Sequence, residues 1–331
     1  MRRPVAALIA AAALLAGCGG GDDAGPAPRA AAATTPEPNA FPVTILHKYG
    51  RTTIKAAPKR VAVVGLREQD PLLAVGVVPV AATRFSTDEA AIRPWAEDEL
   101  GDATPPVVLD STDGIPIEAV AATRPDLIIG RFSGMTKGEY AQLSRIAPVL
   151  AQAKDVVDYG ESWQDETRAV GAAVGRRERA EQQVGEGETR IANARRASPE
   201  LEGRTAVVAA PYKGVFVYGP ADARQRLLEE LGMRRPAGLA QAVGDRFGGQ
   251  LSDERLDLID VDALVWLADD EARATLAKNA LYSRLGVAER AIFLPPTDPL
   301  YNATSAVTVL NIETILERYV PLLEVAVAKA G

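Results

Sequence analysis

Short apolar, β-branched runs alternate with helical patterns twice along this chain, and one proline-free stretch separates the two series. Residues 60–65 (RVAVVG) open the first series, followed by a helix pattern over 70–75 and strand patterns at 78–82 and 107–109. A helix at 118–122 leads through Arg124-Pro125-Asp126 into a strand at 127–130; 140–146 reads as helix and 149–150 as strand. From Glu161 to Arg196 there is no proline, and Trp163, Val170, Val174, Val184 and Ile191 fall near one helical face. Ser198-Pro199 stops that helix. The second series has strands at 205–209, 215–218, 263–267 and 291–294, with helices at 222–231, 253–258, 274–285 and 303–323. Such alternation predicts parallel sheets covered by helices on both faces. The expected fold is α/β: two doubly wound α/β lobes joined by one long connecting helix.

The N-terminus adds a location. Met1-Arg2-Arg3 precedes an apolar run, 4–16, that is too short to span a bilayer and ends in small residues before Cys18. This is a secretory signal pattern, and Leu14-Leu15-Ala16-Gly17-Cys18 looks like a bacterial lipobox, with Cys18 the lipidated residue after cleavage. An ordinary cleaved signal with a chance cysteine is the alternative. The expected organisation is a signal peptide at 1–17, a flexible Gly/Ala/Pro-rich tether at 18–42, a first lobe at 43–160, the connector at 161–197 and a second lobe at 198–331. With one cysteine, Cys18, and one histidine, His47, the usual His/Cys metal sites and internal disulfides are excluded. The formal net charge of −7 argues against nucleic acid as a partner.

Four segments resemble the helical-backbone (class III) substrate-binding proteins of ABC importers, those for ferric siderophores in particular. They are Tyr49–Ile54 with Pro58-Lys59-Arg60-Val61; Glu68-Gln69-Asp70 with Leu72–Val80; Ile117-Glu118 with Arg124–Ile129; and Ser133-Gly134-Met135 with Tyr140 and Leu143–Pro148. The similarity runs on through Trp163 and 172–176 and thins after about residue 200. The resemblance implies a class III periplasmic-binding-protein fold, a connecting helix that restrains the lobes, and a ligand between them near the carboxyl ends of the strands. It implies a lipid-anchored, extracytoplasmic monomer that captures a ferric siderophore, needs no cofactor, catalyses nothing, and hands its cargo to a permease with its ATPase.

A ferric siderophore brings iron already wrapped in oxygen ligands, so the protein needs aromatic walls and cations rather than metal ligands. Arg84 and Phe85 follow one strand of the first lobe, and Arg131 and Phe132 follow another. In the second lobe Tyr212 and Lys213 follow a strand, Arg246 and Phe247 sit in a Gly-flanked loop, and Tyr301 precedes the last helix. Tyr218, before Gly219-Pro220, is either a cleft residue or a strand-end core aromatic. The arginines suit an anionic catecholate or carboxylate chelate, and the aromatics serve a hydroxamate equally well.

The resemblance also implies one acidic residue on each lobe for docking to the permease. Asp70, with Glu68 as its rival, matches in the first lobe, and Glu229 or Glu230 in the second. The bland readings are a helix N-cap for Asp70 and a solvated helix face for the glutamate pair. Other functions on the same chain are haem or corrinoid capture through tyrosine, a lipid-anchored sensor, and a secreted α/β enzyme. The enzyme lacks a Gly-x-Ser-x-Gly elbow and a placed histidine, and no Gly-x-Gly-x-x-Gly follows the first strand.

Overall fold

The computed structural model describes residues 35–85, 90–244 and 247–331. Cys18 and Arg246 lie outside the described residues. An antiparallel hairpin comes first, β1 (Val43–His47) and β2 (Gly50–Ile54), with His47 opposite Gly50. The first lobe then builds on β3 (Val61–Val63), α1 (Gln69–Ala74), β4 (Ala81–Thr83), α2 (Glu97–Leu100), β5 (Val107–Leu109), α3 (Ile117–Ala122), β6 (Leu127–Gly130), α4 (Lys137–Leu143) and β7 (Val149–Ala151). Its sheet has the order β5-β4-β3-β6-β7, every pair parallel. The chain winds outward on both sides of β3, so the loops after β3, β4 and β6 meet at the reversal point where such sheets hold ligands. β3, β4, β6 and β7 are buried, mostly apolar runs, as both-face coverage demands, while the edge strand β5 keeps Val107 and Val108 exposed.

The predicted single connector is two helices, α5 (Trp163–Ala173) and α6 (Arg177–Ala197). Gly175, at φ +72°, makes the break, a conformation L side chains rarely adopt. Ser162 caps α5 by accepting from the Asp165 N–H at 3.0 Å. α6 is the long helix between the lobes, and its buried stripe is Ala180, Val184, Gly187 and Ile191. A side chain on Gly187 would collide with the Trp163 ring at 2.7 Å, so its absence lets Trp163 seat against α6. Trp163 is a core residue, as is Trp266, whose indole donates to the Tyr282 hydroxyl at 3.0 Å.

The tether also differs from expectation at its distal end. Glu37 accepts from the Glu178 and Arg179 N–H groups at the start of α6, at 3.0 and 3.1 Å, and its own N–H donates to Gly175. Phe41 packs on the first-lobe core. The segment from about Pro36 to Pro42 is therefore docked against the helix break, because it supplies the carboxylate that α6 lacks at its own N-cap.

The second lobe contains β8 (Ala206–Ala210), β9 (Val215–Tyr218), α7 (Ala223–Glu230), α8 (Leu239–Val243), β10 (Gly248–Leu251), β11 (Ala263–Leu267), α9 (Asp270–Lys278), β12 (Ile292–Leu294), α10 (Pro299–Ser305) and α11 (Ile312–Ala328). Its sheet order is β10-β9-β8-β11-β12, with β8, β11 and β12 parallel and the β9 and β10 pairings antiparallel. The predicted helix at 253–258 is a 3-10 helix, Asp253–Ile259, and the closing helix divides into α10 and α11. Among the described residues no helix is long and apolar enough to cross a membrane.

Candidate functional site

A cavity lies between the lobes, with about 580 Å³ of free space counting its open mouth. Phe85 after β4, Phe132 after β6 and Tyr159 in the loop after β7 form one side; Phe247, Tyr301, Ser305, Asp222 and Arg224 form the other. Phe132 meets Tyr159 edge-on with ring centroids 5.2 Å apart. Burial raises the Tyr159 phenol above its ordinary pKa, with Asp158 and Glu139 adding to the effect, so it is a hydrogen-bonding group at neutral pH.

The second-lobe wall is built around Arg224. Its Nε donates to Asp222 Oδ1 at 2.9 Å and its Nη2 to Asp222 Oδ2 at 2.6 Å, a two-point pair. Nη1 donates to Ser305 Oγ at 3.1 Å, and the guanidinium stacks 3.9 Å from the Tyr218 ring centroid. Burial opposes the Arg224 charge, but the Asp222 carboxylate outweighs it and raises the pKa further. Tyr218 in turn packs edge-on to Phe216 and Phe247. Asp222 also caps α7 by accepting from the Arg224 N–H at 3.0 Å, so one carboxylate fixes both the helix start and the cation.

Behind the first-lobe wall is a buried ionic seam. Arg67 is fully buried; its Nε is 2.8 Å from Glu166 of α5, and its guanidinium lies 3.8 Å from the Phe132 ring centroid. Nη1 donates to the Val307 carbonyl of the second lobe at 3.1 Å, and Nη2 to the Glu161 carbonyl at 2.8 Å. Burial pushes the Glu166 carboxyl well above the usual glutamate range, with Arg67 opposing.

Of the residues anticipated for binding, Phe85, Phe132, Phe247 and Tyr301 converge on the cavity, and Tyr218 supports it from behind through Arg224. Arg131 does not line it. It is 4% exposed, donates to Glu161 through Nε at 3.0 Å and to the Ala151 carbonyl at 3.3 Å, and is held in the protein. Arg84 pairs with Asp110 at 2.7 Å beside the strand ends and is likewise absent from the lining. Tyr212 and Lys213 occupy the turn between β8 and β9, where Tyr212 is 59% exposed and away from the cavity. The lining residues that sequence reasoning missed are Tyr159, Asp222, Arg224 and Ser305. Arg224 sits at the start of a helix whose pattern reads as a solvated face, and Tyr159 in a loop with no strand before it except the three residues of β7.

Two docking acids are also corrected. Asp70 is fully buried, and its Oδ2 accepts from Trp95 Nε1 at 2.8 Å and from Thr308 Oγ1 of the second lobe at 2.6 Å. Glu68 is fully buried and accepts from the Phe132 and Arg67 N–H groups. Neither carboxylate is presented to a partner; both are raised above their usual pKa by burial. Glu230 accepts from Gln164 of α5, while Glu229 pairs with Arg235 and stays 36% exposed.

Two α/β lobes around such a cavity set a clear comparison. Residues 61–290 match the periplasmic binding protein family. The chain belongs to that family. A Bacillus subtilis (strain 168) protein that carries the name of an ABC transporter substrate-binding lipoprotein, YhfQ, is 24% identical over 254 residues, covering 73% of this chain and 77% of its own. Among solved structures, a periplasmic solute binding protein of Mycobacterium smegmatis shares 30% identity at a TM-score of 0.72, covering 85% of this chain and 97% of its own. Streptococcus pneumoniae PiaA in complex with ferrichrome shares 25% identity at a TM-score of 0.77, covering 87% and 99%. In this family member the two lobes share α6, the seam around Arg67 and the Thr308–Asp70 hydrogen bond.

Proposed function

We propose that this protein captures a ferric siderophore outside the cytoplasm and delivers it to an ABC importer without altering it. The observation that carries the reading is the lining: five aromatic rings from both sides of the cleft together with the buried Asp222–Arg224 ion pair. Rings of this kind cover an organic shell, and guanidinium N–H groups meet the oxygens that wrap the iron. In this reading the iron is cargo and brings its own oxygen ligands. PiaA, whose structure holds ferrichrome, supports the same class of ligand. Cys18 is the lipid attachment point, and the permease contact in the second lobe runs through Glu229, the anticipated acid that keeps an exposed carboxylate.

The test is a tryptophan-fluorescence titration with ferric hydroxamate, catecholate and citrate chelates, their iron-free forms, haemin and cobalamin. Trp95 reports on the cleft, because the Arg93 guanidinium lies 4.7 Å from the Phe85 ring centroid and 5.4 Å from that of Trp95. Saturable quenching by a ferric chelate, tighter than by its iron-free form, is the expected result. Binding of haemin or cobalamin alone would overturn the siderophore reading.

A further inference from the structure

Among the described residues, those that line the cleft offer an anionic cargo no cation without a carboxylate beside it. Among the described residues that line the cavity, Asp222 and Arg224 are the charged ones, and they neutralise each other. Both are at least nine-tenths buried, at 2% and 8% exposure, so this pair is only weakly screened by water. Two nearby arginines are also paired with carboxylates, Arg84 with Asp110 and Arg131 with Glu161. An anionic chelate entering here loses hydration, meets no uncompensated cation in the described lining, and approaches the Asp222 carboxylate.

A neutral chelate faces none of these costs. Three hydroxamates each bring one negative charge to ferric iron, and the complex carries no net charge. Its outward oxygens still accept hydrogen bonds. Arg224 uses three of the five N–H bonds of a guanidinium on Asp222 and Ser305, so at most two remain to donate to a ligand. We propose that the Asp222–Arg224 pair sets the charge selectivity of the cleft, admitting a neutral ferric trihydroxamate and disfavouring catecholate and citrate-type chelates. This rests on the siderophore reading above. It assigns to Asp222 a role in selectivity by neutralising the cation beside it, not by touching iron.

The experiment titrates the full chain and two variants with ferrichrome, a neutral trihydroxamate, and ferric enterobactin, an anionic tricatecholate. The wild type is expected to prefer ferrichrome by about tenfold or more. Asp222→Asn keeps an oxygen for the helix cap but frees the Arg224 charge, and should move the affinity ratio roughly tenfold toward enterobactin. Arg224→Gln leaves Asp222 unbalanced and should move the ratio the opposite way by a similar factor. Circular dichroism checks that each variant folds; if one does not, the other carries the test through its own direction of change. A wild type that binds enterobactin as tightly as ferrichrome, or a ratio unchanged in the folded variants, overturns the proposal. Failure of the wild type to bind either chelate overturns the siderophore reading itself, and the selectivity argument with it.

Discussion

Arg131 and Arg224 are both buried arginines paired to carboxylates, and only their surroundings give them different work. Arg131 spends its donors on Glu161 and the Ala151 carbonyl, beneath the cleft. Removing it strands a buried carboxylate, so Arg131→Ala should cost about 3–5 kcal/mol in denaturant unfolding. A variant that unfolds like wild type but loses ligand affinity would return Arg131 to the binding site. Tyr301→Ala should do the reverse, weakening chelate binding with a smaller stability cost, because the ring is half-buried on the cavity wall. Glu166 gives a pH signature. Its folded pKa lies above the ordinary value of 4.5, so over that interval the folded state holds more protons than the unfolded one. That stabilisation is present below about pH 4.5 and is lost as pH rises through the raised value. Wild type should therefore lose stability relative to Glu166→Gln on going from about pH 5 to pH 7; parallel curves would contradict the assignment. Which arginines are paired was not legible in the sequence, since Glu161 lies thirty positions from Arg131 and only the fold brings them together. The aromatic lining was more legible, because Phe85 and Phe132 each stand two residues past the end of a parallel strand.

At the scale of elements, apolar β-branched runs read well as strands whether fully buried, as in β6 and β11, or partly exposed, as in β5 and β9; all four fall at their anticipated positions. The β1–β2 hairpin was missed, because only a few of its positions are buried and its exposed ones are Thr44, Leu46, Gly50, Arg51 and Thr53. The helix break at Gly175 was missed for a different reason. Helix formers predominate on both sides, and what stabilises the break comes from Glu37 and Phe41, more than a hundred residues upstream. The capping role of Glu37 is testable by itself. Glu37→Ala should lower stability by about 1 kcal/mol, the usual worth of an N-terminal cap, in urea unfolding. A truncation that begins after Pro42 should lose more, because Phe41 leaves the core with it. Unchanged stability in both would show that the docked segment contributes nothing to α6.

Across the whole molecule the two lobes are latched as well as linked. Arg67 reaches the Val307 carbonyl, Thr308 donates to Asp70, and Trp163 of α5 packs on α6. Each crossing is buried, so prying the lobes apart would leave charged groups without partners. Ligand capture should accordingly proceed by adjustment within the cleft. Small-angle scattering should show a radius of gyration that changes by no more than about 1 Å on saturation with a ferric chelate; a larger contraction would mean a hinge that these contacts do not allow. The central claim, that the aromatic cleft between the lobes holds the iron chelate, is tested most directly by anomalous diffraction at the iron edge from crystals of the protein saturated with ferrichrome. One iron peak is expected, enclosed by Phe85, Phe132, Tyr301 and Arg224. An iron peak elsewhere on the molecule, or saturated protein with no peak in the cleft, would contradict it.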